Sequence, residues 1–120
     1  MTLDQASSSG AAASATVHRA SDGSIRVEVG GPIDLATVDV LSRRLNQALD
    51  EQPTALVVSL KDVTFLDSSG INAMMTAYRR ANAASIVFTI VNCPAIVERI
   101  MRVVGIFDLL TGGDAFHDVR

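Results

Sequence analysis

The chain predicts a small α/β sandwich, a mixed β-sheet of about four strands with helices mainly on one face. Three observations carry this reading. Short β-branched or alternating runs recur at 15–20, 25–29, 55–60 and 86–91. Helix-periodic segments separate the later ones, giving the order β-β-α-β-α-β-α. Strand–helix–strand units imply parallel neighbours joined by right-handed crossovers, and three helices suffice to cover one face.

Each element has a local reason. The first strand, 15–20, meets the turn Ser21-Asp22-Gly23-Ser24 and then Ile25-Arg26-Val27-Glu28-Val29. The strict apolar/charged alternation of that second run is the pattern of a strand with one wet face, so the pair reads as an antiparallel hairpin. Gly30-Gly31-Pro32 is expected to end the strand. A helix over 36–50 follows, with Val38, Leu41, Leu45, Ala48 and Leu49 on one side and Asp39, Ser42, Arg43, Asn46 and Asp50 on the other. Pro53 stops it.

Ala55 to Leu60 is a buried strand bounded by Lys61-Asp62, and Ile71, Met74, Met75, Tyr78 and Ala81 mark a second helix over 70–82. After the 86–91 strand, Pro94 is expected at the first helical position. The third helix would turn Ile96, Val97, Ile100, Val103 and Val104 inward, and Gly105-Ile106 would close it with a left-handed glycine cap. Phe107 to Leu110 adds a short helical turn. Residues 1–14, rich in Ser, Ala and Gly, are expected to be a disordered tail, leaving one domain over 15–110 and a polar tail over 111–120.

Composition narrows the function. Hydrophobic residues make up 48% of the 120 and aromatics 4%, so the core is aliphatic. A net charge of −3, with no dense basic cluster, argues against a nucleic-acid partner. No apolar run approaches the ~20 residues of a membrane span, and the first residues lack a secretory pattern, so no membrane insertion is expected. Cys93 is the single cysteine, which excludes an intramolecular disulfide and a cysteine metal site and fits a reducing, cytoplasmic compartment. Its place before Pro94 leaves two readings, a thiol activated by a helix start or a small buried hydrophobe.

The most informative stretch is Phe65-Leu66-Asp67-Ser68-Ser69-Gly70-Ile71, between a strand and a helix. It puts two hydroxyls and a carboxylate on a turn whose Gly70 is expected to let the backbone bend closely. A serine at a helix N-terminus faces free amides that favour an anion such as a phosphate, making Ser68 a candidate switch. Ser and Asp are equally the commonest N-caps, without any chemistry. Catalysis by Ser68 would need a base, and the histidines are His18, on an edge strand, and His117, in the tail. A Gly-x-Ser-x-Gly elbow is missing because Leu66 stands at its first position. No catalytic residue is therefore assigned, and the chain is not expected to be an enzyme.

These residues resemble a known family. Gly31-Pro32-Ile33-Asp34, the helix and strand after it, then Val63-Thr64-Phe65-Leu66-Asp67-Ser68-Ser69-Gly70, are similar to the STAS domain of bacterial anti-sigma factor antagonists. Pro94 to Ile100, running on to Val104-Gly105-Ile106-Phe107, looks like that family's third helix, so the resemblance spans roughly 15–110. It implies that Ser68 is a phosphorylation site. The kinase is the cognate anti-sigma factor, which binds the ATP itself, so this chain needs no cofactor or metal. Unmodified antagonist docks on the anti-sigma factor and frees the sigma factor; phosphorylation ends docking, and a serine phosphatase restores it. Asp34, Asp67, Ser68, Ser69 and Gly70 map to the docking region, although Asp34 also reads as a plain helix-start carboxylate. Asn72 stands where many members carry a second glycine, a departure that bears on which partner fits. STAS domains also serve as regulatory modules of transporters, lipid-export assemblies and stress-signalling complexes without a phosphoserine, the alternative function.

Overall fold

A computed structural model describes residues 12–111. Its elements are β1 (Ser14–Arg19), β2 (Ile25–Ile33), α1 (Val38–Asp50), β3 (Ala55–Leu66), α2 (Ser68–Ala83), β4 (Val87–Val91), α3 (Ala95–Val103) and α4 (Phe107–Thr111). The sheet order is β1-β2-β3-β4, antiparallel between the first two and parallel thereafter. The expected tails at 1–14 and 111–120 lie mostly outside the described residues; Ser14 already pairs with Gly30, and α4 reaches Thr111.

The hairpin forms as its sequence demands. Asp22 Oδ1 accepts from the Ser24 amide at 2.9 Å and its hydroxyl at 2.7 Å, and Gly23 supplies the left-handed conformation at φ +90°. Ile25, Val27 and Val29 are buried, whereas Arg26 and Glu28 pair with each other at 2.9 Å on the opposite, wetter face. Helices α1 and α2 pack against each other and against the sheet, so both lie on the face with Val27, Leu56 and Val58. Tyr78 of α2 meets Phe88 of β4 edge-on, ring centres 6.0 Å apart. Arg80 ties α2 to α1 through Asn46 and Asp50, an exposed pair worth at most about 1 kcal/mol. Buried Val97, Met101 and Leu110 extend the same core into α3 and α4.

Two strands run further than expected, and this matters for the site. Gly30-Gly31-Pro32 does not end β2, nor does Lys61-Asp62 end β3: Gly31 pairs with Val63, Pro32 with Phe65 and Ile33 with Leu66. The register shifts between Glu28 and Gly30 and again between Gly31 and Pro32. Such bulges reset the two-residue period, which is why the buried positions step from Leu60 to Val63 to Leu66 and the alternation disappears from the sequence. Gly31 takes φ +81° at this kink.

Helix α3 departs from expectation in two ways. Pro94 is its N-cap, with extended backbone, rather than its first helical residue. Of the five side chains expected inside, Val97 is buried, whereas Ile96, Val103 and Val104 are exposed; Met101 takes the other inward place. The helix is apolar on more than one stripe, so periodicity cannot choose the inner one. Its C-terminus is the expected cap: the Ile106 amide donates to the Met101 carbonyl at 2.9 Å and the Gly105 amide to Arg102 at 3.1 Å, with Gly105 at φ +82°.

Candidate functional site

The parallel strands all end on the same side of the sheet, and the loops after β2 and β3 meet there. Leu66 is buried, and Asp67 leaves the strand still extended, its amide donating to the Ile33 carbonyl at 3.1 Å. Asp67 is the N-cap of α2. Its Oδ1 accepts from the Ser69 amide at 2.8 Å, the Ser69 hydroxyl at 2.5 Å and the Gly70 amide at 3.4 Å. The two roles that the motif left open are thus divided: Asp67 caps, Ser69 is tied to it, and Ser68 does neither. Ser68 is the first residue of the helix and exposed, and among the described residues its hydroxyl has no hydrogen-bond partner.

Gly70 sits inside the first helical turn and does not bend the chain, correcting the expected role. It is buried because a Cβ there would stand 2.4 Å from Leu66 Cδ1 and 2.9 Å from Ile33 Cγ2. The missing side chain lets α2, whose first residue is Ser68, start directly against the ends of β2 and β3.

Asp34 organises the neighbouring loop. Its Oδ1 accepts from the Ala36 amide at 3.0 Å, the Thr37 amide at 3.2 Å and the Thr37 hydroxyl at 3.2 Å, while that hydroxyl also donates to the Pro32 carbonyl at 2.8 Å. The carboxylate therefore holds the turn before α1 rather than capping the helix itself, whose N-cap Thr37 makes no side-chain cap bond.

Electrostatically, the Ser69 hydroxyl, followed by the Ser69, Gly70 and Leu35 amides, holds the Asp67 carboxyl below its ordinary value against opposing desolvation. A lowered native pKa stabilises above the unfolded value of about 3.9 and is lost as pH falls through the lower folded value. Acid titration monitored by circular dichroism should show Asp67→Ala less stable than the parent at pH 7, with the gap narrowing as pH falls below the unfolded value of about 3.9. A gap constant down to pH 2 contradicts this assignment.

Other candidates do not converge here. Burial, with a smaller contribution from the Glu98 charge, pushes the Cys93 thiol up to about 11, so it is no activated nucleophile at its helix start. His18 lies on β1 opposite Arg26, and His117 falls outside the described residues. Among the described residues no three His, Cys, Asp or Glu side chains gather as a metal site, and no helix is long and apolar enough to cross a membrane. A groove between α1 and α2 brings Ser42, Asn46 and Thr76 toward Ser69, with Asn72 on its wall. Two exposed apolar residues that periodicity did not flag also stand at this end of the sheet, Leu35 in the turn after β2, 80% exposed, and Phe65 near the end of β3, 45% exposed.

A family profile described as the STAS domain matches residues 15–119. The chain belongs to the STAS domain family. Among relatives of this STAS domain, the anti-sigma-F factor antagonist RsfB of Mycobacterium tuberculosis is 29% identical over 92 residues, covering 77% of this chain and 75% of the relative. An anti-sigma F factor antagonist of Paenibacillus polymyxa is 26% identical over 89 residues, 73% of this chain and 76% of its own. The crystal structure of an anti-sigma factor antagonist from Mycobacterium paratuberculosis superposes with a TM-score of 0.76 at 26% identity, covering 87% of this chain and 86% of that one. In this STAS domain the Asp-Ser-Ser-Gly segment is the strand-to-helix junction itself.

Proposed function

We propose that this STAS domain is an anti-sigma factor antagonist controlled by phosphorylation of Ser68. In its unmodified form it binds a cognate anti-sigma factor, itself a serine kinase, and so releases the sigma factor in the cytoplasm. Phosphorylation ends that binding, and a serine phosphatase restores it. The names of the relatives support the antagonist role. The observation that carries the switch is the contrast between two adjacent hydroxyls: Ser69 is bonded to Asp67, whereas Ser68 is exposed and unpartnered among the described residues.

The chemistry follows from that placement. A phosphoryl group adds about −1.5 to −2 charges at the first residue of α2, where the helix end favours an anion, so the fold tolerates it. A partner surface shaped for a neutral hydroxyl must instead desolvate a dianion beside the Asp67 carboxylate. Repulsion and desolvation therefore fall on the interface. Incubation with a panel of anti-sigma serine kinases and ATP, followed by mass spectrometry, should place a single phosphate on Ser68. Phosphate on Ser69, or none from any kinase, contradicts the reading.

Asp34 contributes charge in addition to its turn. An Asn at this position retains the Oδ1 acceptor, so Asp34→Asn should melt within about 2 °C of the parent while binding the kinase roughly three- to tenfold more weakly, the scale of a rim charge. A lowered melting temperature with unchanged affinity would assign Asp34 to the turn alone.

A further inference from the structure

We propose that Leu35, flanked by Phe65, is the apolar anchor through which the anti-sigma kinase grips this chain beside Ser68; this rests on the function proposed above. Leu35 is 80% exposed although it lies in a turn locked by Asp34 and Thr37. Its side chain adds nothing to the core, and a rigid turn presents it with little ordering to lose on binding. Phe65, 45% exposed, stands opposite Pro32 in the adjoining strands, placing a second apolar surface next to that turn.

The two features are contiguous with the phosphorylation site. The Asp67–Ile33 hydrogen bond, 3.1 Å, joins the residue before Ser68 to the strand end that leads into Leu35. A protein that brings a phosphoryl donor to the Ser68 hydroxyl therefore covers Leu35 as well. The surrounding carboxylates, Asp34 and Asp67, specify the rest of the surface: an apolar pocket on the kinase rimmed by basic side chains, an anchor-and-rim arrangement typical of interface hot spots. Val87 is an internal contrast, 62% exposed at the start of β4. It pairs with Ala55, ten residues along β3 from Phe65, on the order of 30 Å away.

The test uses the full chain and the anti-sigma kinase selected by its phosphorylation of Ser68, with affinity measured by calorimetry and Ser68 phosphorylation by steady-state kinetics. Leu35→Ala should weaken binding about tenfold to fiftyfold and raise KM for this chain by a similar factor with kcat unchanged, since the contact is made equally in ground and transition states. Phe65→Ala should lose about fivefold, and Val87→Ala less than twofold. Leu35→Met, which keeps an apolar side chain, should bind within about threefold, and the Leu35 variants should melt with the parent. Leu35→Ala binding within twofold of the parent, while Ser68→Glu fails to bind, overturns the anchor and leaves the switch intact. Equal binding by Ser68→Glu, or no kinase acting on Ser68, removes the switch and the anchor with it.

Discussion

Ser68→Glu is expected to lose at least about thirtyfold in affinity for the anti-sigma kinase, whereas Ser68→Ala should bind like the parent and accept no phosphate. The estimate comes from leaving a desolvated charge unpaired at an interface, which costs about 2–5 kcal/mol, or roughly thirtyfold to several thousandfold. Glutamate carries less charge than a phosphate of about −1.5 to −2, so it sets the lower bound of the effect. Fold stability should move the other way. An acidic side chain in the first turn of a helix is favourable by about 0.3–1 kcal/mol, so Ser68→Glu should melt at or slightly above the parent temperature. Calorimetric titration and thermal melts on the same samples separate the two quantities. Equal affinities for the two variants would take the switch away from Ser68, and a large fall in melting temperature would trace lost binding to unfolding.

Glycine replacements should produce the largest stability effects, and in a definite order. At Gly31, an added Cβ would stand 2.4 Å from the Ala12 carbonyl oxygen and 3.0 Å from Ala13 Cα, with φ at +81°. Backbone cannot rotate away as a side chain can, so Gly31→Ala combines left-handed strain with a hard clash, about 2–4 kcal/mol together. Gly70→Ala meets side chains alone, with Leu66 Cδ1 able to shift and Ile33 Cγ2 held in the core, for about 1–3 kcal/mol. At Gly105 φ is +82° but nothing lies within 4 Å, so Gly105→Ala carries strain only, about 1 kcal/mol. In a domain of this size each kcal/mol lowers the melting temperature by roughly 4–8 °C. Gly31→Ala should therefore be the least stable of the three, and a melting temperature at or above that of Gly105→Ala would contradict the close approach of Gly31 to Ala12 and Ala13. Gly70→Ala carries a functional consequence too, because it pushes the first turn of α2, and Ser68 with it, off the strand ends.

Much of the architecture is legible in the residues because local pattern and tertiary role agree. Alternation in Ile25 to Val29, the turn at Asp22-Gly23, the apolar stripe of α1 and the Gly105-Ile106 cap all appear where the chain placed them. Legibility fails where two registers or two stripes are equally apolar. The bulged ends of β2 and β3 conceal their pairing, and α3 offers Ile96 and Val103 as plausibly as Val97 and Met101.

The candidate site divides along the same line. Asp67-Ser68-Ser69-Gly70 between strand and helix is a local signal, and residue types alone placed a hydroxyl at a helix start. Which hydroxyl remains available was not local information. It depends on the Ile33 carbonyl holding Asp67 extended, the pose from which its carboxylate reaches the nearby Ser69, and on Gly70 admitting Ile33. Leu35 was invisible for a related reason, since an apolar residue beside a turn reads as core until its neighbours are known. Hydrophobic period and turn chemistry act over a few residues and are written in the chain; exposure and hydrogen-bond partnership depend on segments some thirty residues apart meeting in space.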